Sequence, residues 1–388
     1  MGIALDLWQD GPVRSVLRVG ALVAAMIALS SCYPDDVPTS VSTTTSAAPT
    51  SVLTPDQLRH QGALAEGTRM ADVLALPTDI DPDVTVYGRA GVLTSAMLLV
   101  MAGHNDAIKA AADDNGLLTG FITHRTNGDR ERRKDLTHGV MRFPDAAAAS
   151  KAAEDLADGS VNYRGLLESQ SRTPAPLPGA PEAQFSHKEE RGRVEGMAFT
   201  AVREYVIYTS VRTGTRDELE RIMLRALELQ RPLLDDFRPT PPADYPELPY
   251  DPEGVFALTV GDGDAQQGAY RLRGALLFAQ DQPRAATVFR EVGLNAMANK
   301  GTTVYRTDDA AGAQRLSAAL GEMQPAYQPA SAPTGIPSAS CLSRPEGGAN
   351  SWFCLVTAGR FVGEIWAKTQ DDAHRLVEQQ HQALRSAK

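Results

Sequence analysis

The chain has 388 residues, 43% hydrophobic and 22% charged, with a formal net charge of −10. That apolar content can fill ordinary cores and excludes disorder throughout, and the length allows about two domains. The negative balance repels phosphate backbones, and no Lys/Arg patch is interleaved with aromatics, so nucleic acid is excluded as a partner.

Arg14 and Arg18 precede an uncharged run from Val19 to Leu29, which ends in Leu29-Ser30-Ser31-Cys32. A membrane span needs about 20 apolar residues, so this shorter run reads as the core of a secretory signal. Small residues followed at once by Cys make a bacterial lipobox. Residues 1–31 are therefore expected to be a lipoprotein signal peptide, with Cys32 the lipid attachment site. Asp6 and Asp10 neutralise the segment that should be basic, which suggests a translation start nearer Val13. The expected location is the outer face of the cell membrane, with the membrane as partner through the lipid.

Residues 32–52 form a tether. Nine of the thirteen residues from Thr39 to Ser51 are Ser or Thr, which cannot bury a core. Such a segment averages roughly 25 Å end to end and reaches about 70 Å when stretched.

The first folded domain is expected over residues 53–237. Ser95 to Ala112 is rich in Ala and Met without Pro and reads as one helix. Gly116 to Ile122 and Thr137 to Phe143 read as strands, joined by a charged tip at Arg130-Glu131-Arg132-Arg133-Lys134. Asp145 is placed to cap an Ala-rich helix running to about Asp158. Two strands follow near Met197–Ala201 and Tyr205–Val211. The closing helix, Asp217 to Asp235, places Leu219, Ile222, Met223, Ala226 and Leu227 on one face.

Six prolines between Arg238 and Pro252 rule out a helix or central strand and predict a semi-rigid linker over 238–252. Residues 253–388 then repeat the first unit. Tyr87-x-x-x-Gly91 matches Tyr270-x-x-x-Gly274, Val140 to Ala146 matches Val304 to Ala310, and Tyr205-Val206 matches Phe361-Val362. A closing helix recurs from Asp371 to Leu384. The predicted fold class is α+β: two similar tandem domains, each an antiparallel sheet with helices packed on it, a ferredoxin-like unit being one such form.

Lipidation of Cys32 leaves Cys341 and Cys354, and an even remainder in an exported protein predicts one disulfide. At the offset of the duplication they fall on Phe185 and Ala198. Facing positions across a hairpin, with Cα atoms about 4.4–6.8 Å apart, are therefore expected.

Catalytic patterns are absent. No Gly-x-Ser-x-Gly elbow, His-Glu-x-x-His pair or phosphate-cradling glycine loop occurs. Gly261-Asp262-Gly263-Asp264 is calcium-like, but Arg273 stands where a closing Glu is required, so a tight turn is expected. His124 and His138 could meet across a hairpin. His374 and His381 share a helix face two turns apart, which is poor spacing for one metal. Arg125, Arg142, Arg203, Arg306 and Arg360 lie on or beside strands and fit either an anion-binding face or ordinary exposed positions. No catalytic, cofactor or metal residue is therefore assigned.

Leu76-Pro77-Thr78-Asp79-Ile80-Asp81-Pro82, Thr119-Gly120-Phe121 with Arg125, and Arg360-Phe361-Val362-Gly363-Glu364 resemble the actinobacterial (mycobacterial and nocardial) lipoproteins built from a paired domain of unknown function. The resemblance implies a location and no activity. The expected function is a non-enzymatic, lipid-anchored module that binds a small molecule, an envelope lipid or an exported protein. The alternative is an envelope hydrolase whose site the sequence does not display.

Overall fold

The computed structural model describes residues 53–161, 171–263 and 266–387. Cys32, the signal segment and nearly all of the tether lie outside them, as does Asp264 of the calcium-like turn. Residues 55–388 form one compact unit.

The first copy opens with α1 (Pro55–Met70) and the single turn α2 (Pro77–Ile80), then β1 (Val86–Val92). Ser95 to Ala112 is not one helix but two, α3 (Ser95–Met101) and α4 (Asp106–Asp114). The break falls at Gly103 and His104, whose φ angles are 75° and 65°. Asn105 then restarts the helix, its side chain accepting the amides of Ala107 and Ile108. The hairpin β2 (Thr119–Thr126) and β3 (Asp135–Arg142) is followed by α5 (Ala146–Val161), where Asp145 accepts the amide of Ala148 at 2.8 Å. Then come β4 (Thr173–Pro174), β5 (Gln184–Glu190), β6 (Arg193–Val202), β7 (Tyr205–Thr213) and α6 (Arg216–Asp236).

The second copy is built in the same order. It contains β8 (Gly268–Tyr270), α7 (Leu272–Leu276), α8 (Gln282–Glu291), β9 (Ala296–Asn299), β10 (Thr303–Arg306) and α9 (Ala310–Glu322). It closes with β11 (Gln328–Ala330), β12 (Ala339–Ser343), β13 (Trp352–Ala358), β14 (Phe361–Ala367) and α10 (Gln370–Ser386). The sheets run β1-β2-β3-β7-β6-β5-β4 and β8-β9-β10-β14-β13-β12-β11, so the strands correspond one to one. Every neighbouring pair is antiparallel, and each sheet is larger than the four-stranded β-α-β-β-α-β unit. Pro174 and Pro329 sit on the short outer strands β4 and β11, where a missing N–H discourages edge pairing with another chain.

The odd-numbered positions of β3 face a core shared with α3, α4 and α5, through Met141, Ile122, Phe143, Ala152 and Leu156. The opposite face packs under α1 and α6. That second core does not stop at the end of the first copy: it runs on through Tyr270, Ala275, Leu277, Phe289 and Leu316. Phe121 lies edge-on to both Tyr270 and Phe278, at 5.9 and 6.2 Å between ring centroids. A separate cluster fills the far face of the second sheet under α10, with Val356, Ile365, Ala373 and Val377. The two copies are thus fused through a continuous apolar seam.

The proline-rich segment takes part in that fusion. Pro242–Glu247 forms a 3-10 helix packed on α1. Gly62 is needed at the contact, since a Cβ there would lie 1.9 Å from the Tyr245 carbonyl oxygen. Glu66, fully buried, accepts from Arg142 at 3.1 Å, Arg69 at 2.5 Å and the Thr240 amide at 2.9 Å. The linker is thus a strap fastened onto α1.

Cys341 on β12 is paired in register with Cys354 on β13, and the two are disulfide-bonded. Phe185 and Ala198 are paired in the same way in the first copy. The Cα atoms are 4.1 Å apart, just under the 4.4–6.8 Å expected. Directly opposed cross-strand residues come closer than most bridged pairs. Replacing both cysteines with Ala should lower the urea midpoint by an amount equivalent to about 2–3 kcal/mol. An unchanged midpoint under non-reducing conditions would contradict this.

Candidate functional site

The seam between the copies is held by polar contacts as well as apolar ones. Asp72, in the turn after α1, accepts the Gly274 amide at 2.8 Å, and Arg273 donates to the Leu74 carbonyl at 3.1 Å. Thr78 reaches the buried Gln282 through both its amide (3.2 Å) and its hydroxyl (2.8 Å). Two tyrosines converge on one residue: Tyr87 donates to the Gln266 side chain, and Tyr270 to the Gln266 carbonyl. Behind the segment 73–75 stands a buried relay. Gln230 donates to the Val73 carbonyl at 2.7 Å and accepts the Ala75 amide at 2.9 Å. Its Oε1 also meets His138 at 3.0 Å, whose other nitrogen lies 3.1 Å from Thr209 Oγ1. Burial pushes the His138 pKa down to about 4, outweighing the Gln230 hydrogen bond.

Arg125 also spans the seam. It is fully buried on β2 and donates to the carbonyls of Thr85 (2.9 Å), Gln280 (3.3 Å) and Ala279. Its guanidinium also lies over the Tyr87 ring, 5.6 Å from the centroid. Burial lowers its pKa to about 10.

Between α1, the strap and the edge of the second sheet lies a cavity of about 400 Å³. Tyr270, Ala269, Ala296 and Met297 line one side and Phe237, Pro249 and Val255 the strap side, while Arg69, Arg238 and Arg271 bring positive charge and Asp72, Asp236 and Glu253 negative. This volume suits a small ligand, and an apolar lining with a few placed polar groups is typical of binding sites. Burial raises the Asp72 pKa above the usual carboxylate value, although the Gly274 amide and nearby arginines pull the other way. Tyr250, also in the wall, is pushed up to about 12 by burial and by Asp251. Glu253 is already tied to Arg306 at 2.6 Å.

The residues singled out in the sequence do not assemble into a site. His124 pairs with Thr137 and His138 with Thr123, so the two histidines face opposite sides of the sheet. His124 instead sits 3.4 Å from Asp135. His374 contacts the Ser331 carbonyl at 2.8 Å. The five arginines serve five different places. Arg125 and Arg142 are buried clamps rather than exposed strand positions, and Arg203 caps the end of α6. Arg306 ties down Glu253, and the Arg360 carbonyl accepts Thr307. Asp81, Asp83 and Glu218 converge like metal ligands, but the Lys134 ammonium lies 3.2, 2.6 and 2.7 Å from them. Asp72, Tyr250 and Arg271 carry no sequence pattern. The one available signal was Tyr270 in the matched Tyr-x-x-x-Gly pattern, since it lines the cavity.

Two copies of one antiparallel α+β unit, fused through a shared core with a cavity at their junction, define the class of this protein. The chain belongs to a family described as a domain of unknown function (DUF7373). The model of its N-terminal part matches residues 53–250, and that of its C-terminal part matches 252–386. A search of curated proteins finds no match. Among solved structures, the chain is similar to the extracellular domain of PknH from Mycobacterium tuberculosis, at 11% identity and a TM-score of 0.32. The match covers 44% of this chain and 97% of that one. Among the described residues, no helix is long and apolar enough to cross a membrane.

Proposed function

We propose that this protein is an extracytoplasmic lipoprotein of the actinobacterial type, anchored by Cys32 to the outer face of the cell membrane. Its folded unit binds a small amphipathic molecule in the seam cavity. The anchor rests on Leu29-Ser30-Ser31-Cys32 after an apolar run too short to span a bilayer. The binding role rests on one observation, the cavity of about 400 Å³ walled by both copies and the strap. Asp72 offers a polar anchor, and Tyr270, Phe237 and Met297 offer apolar contact for the ligand body. The lining has hydroxyls only at Thr68, Tyr250 and Tyr270 and holds neither His nor Cys, which favours binding over hydrolysis.

Native mass spectrometry of the acylated protein, with extraction of retained small molecules, tests this reading. The wild type should carry an acyl mass and a co-purifying ligand. Cys32→Ala should lack the acyl mass, and Ala269→Trp should fill the cavity and lose the ligand while staying folded. Asp72→Asn should weaken retention by about tenfold, the loss of one charge-assisted hydrogen bond. Full retention by Ala269→Trp, or acylation of Cys32→Ala, would sink it.

A further inference from the structure

The α5 face of the first sheet is apolar under the helix, through Phe199, Tyr208 and Leu156, and turns charged past the end of the helix. Glu195 on β6 is shared there by three cations: Arg172 at 3.4 Å, Lys188 at 3.3 Å, and the Arg212 Nε on its other oxygen. The side chains of Arg172 and Lys188 are only 7% and 2% exposed. The neighbouring acids have cations of their own. Asp135 is held by Arg133 at 2.9 Å, and Glu190 faces Arg193 across the hairpin. One carboxylate divided among three cations leaves buried positive charge in excess, which is unfavourable unless a counter-ion meets it. Lys188 and Arg212 have further contacts, Asp135 lying 3.6 Å from Arg212, so the shortfall falls on Arg172.

Two polar atoms at this spot are buried with no hydrogen-bond partner, the Arg172 Nη1 and the Tyr208 hydroxyl. The two residues are neighbours: burial raises the Tyr208 pKa, and the Arg172 charge and Ser210 hydroxyl pull it back. Buried polar atoms are normally bonded, so an unmatched pair beside excess charge points to a missing acceptor. The duplication sharpens the contrast. At the offset that matches Tyr205 to Phe361, Lys188 corresponds to Arg344 and Tyr208 to Glu364. The second copy thus has a carboxylate of its own at that strand position, satisfied by Tyr305 at 3.0 Å and Trp366 at 2.6 Å. The first copy has a hydroxyl there instead. Arg212, 36% exposed, marks the side on which the cluster meets solvent.

We infer that Arg172 and the Tyr208 hydroxyl, with Lys188 beside them, hold the oxyanion of a compact phosphate or carboxylate ligand. The site lies on the α5 face, apart from the seam cavity, so it stands or falls on its own. Calorimetric titration of the full chain carrying Cys32→Ala, at constant ionic strength in chloride, tests it with inorganic phosphate and with acetate. Saturation at one site per chain is expected, and the anion that binds more tightly identifies the group. Tyr208→Phe should weaken binding about tenfold, the loss of one hydrogen bond to a charged group. Arg172→Gln should weaken it about a hundredfold, as truncation of a buried charge partner does. Without either anion, Tyr208→Phe should melt no lower than the wild type, since it removes an unmatched hydroxyl. Failure of both anions to saturate would mean that buried water completes the cluster, and would overturn the inference. So would undiminished binding by either variant, or a lower melting temperature for Tyr208→Phe.

Discussion

Arg125→Met should lower the free energy of unfolding by about 3–5 kcal/mol, the cost of removing one partner from a buried, hydrogen-bonded charge site. Methionine keeps much of the stem's packing while deleting the guanidinium. Three carbonyls, those of Thr85, Ala279 and Gln280, would then lack the donor that now serves them. Two of these belong to the loop before α8, so the loss falls on the seam and not on the first sheet alone. Urea unfolding followed by tryptophan fluorescence reads this out, because Trp352 and Trp366 both lie in the second copy. An early transition confined to the second copy would show that the seam carries its stability. Arg125→Lys should recover only part of the loss, since one ammonium cannot reproduce the planar fork. A loss below about 1 kcal/mol for Arg125→Met would mean that the apolar contacts of Phe121 with Tyr270 and Phe278 suffice.

The duplication was legible because its markers are backbone requirements. The hairpin at Tyr205 and Phe361 and the closing helices recur where the same chain path recurs, whereas Gly91 lies in β1 and Gly274 in α7. Strand β1 was not foreseen, since Arg89 breaks the alternation that marks a strand. The break at Gly103-His104 was masked by the strong helical composition on either side. The packing of the linker on α1 was not legible for a physical reason: proline content reports the lack of regular hydrogen bonding, and it cannot report whether Tyr245 is buried. The cavity left no trace in the sequence, because its wall draws on α1, the strap and β8, segments about 200 residues apart. Arg125 stood in a recognisable stretch, but burial of a lone arginine against carbonyls has no spacing signature. Only the register of β2 and the approach of the 279–280 loop reveal it.

The relay behind Asp72 gives the second large effect, which depends on pH. His138 is fully buried, and its pKa in the folded protein is about 4 against 6.5 for the free side chain. Between those values the unfolded chain binds a proton that the folded chain does not, so stability rises with pH across this window and is lost on acidification. The gap of about 2.5 units corresponds to roughly 3 kcal/mol once pH has fallen to about 4. Asp135, held down at about 2, titrates below this window. The raised carboxylates Asp72 and Glu364 act in the opposite sense, losing stability as pH rises. Comparison with His138→Gln isolates the histidine, because those carboxylates are common to both proteins. The glutamine can still hydrogen-bond Thr209 and Gln230 but cannot take up a proton. The wild type should therefore lose roughly 3 kcal/mol more than His138→Gln between pH 7 and pH 4 in urea titrations. Parallel pH profiles for the two proteins would show that His138 does not resist protonation in the fold, and that Gln230 holds the 73–75 segment without it.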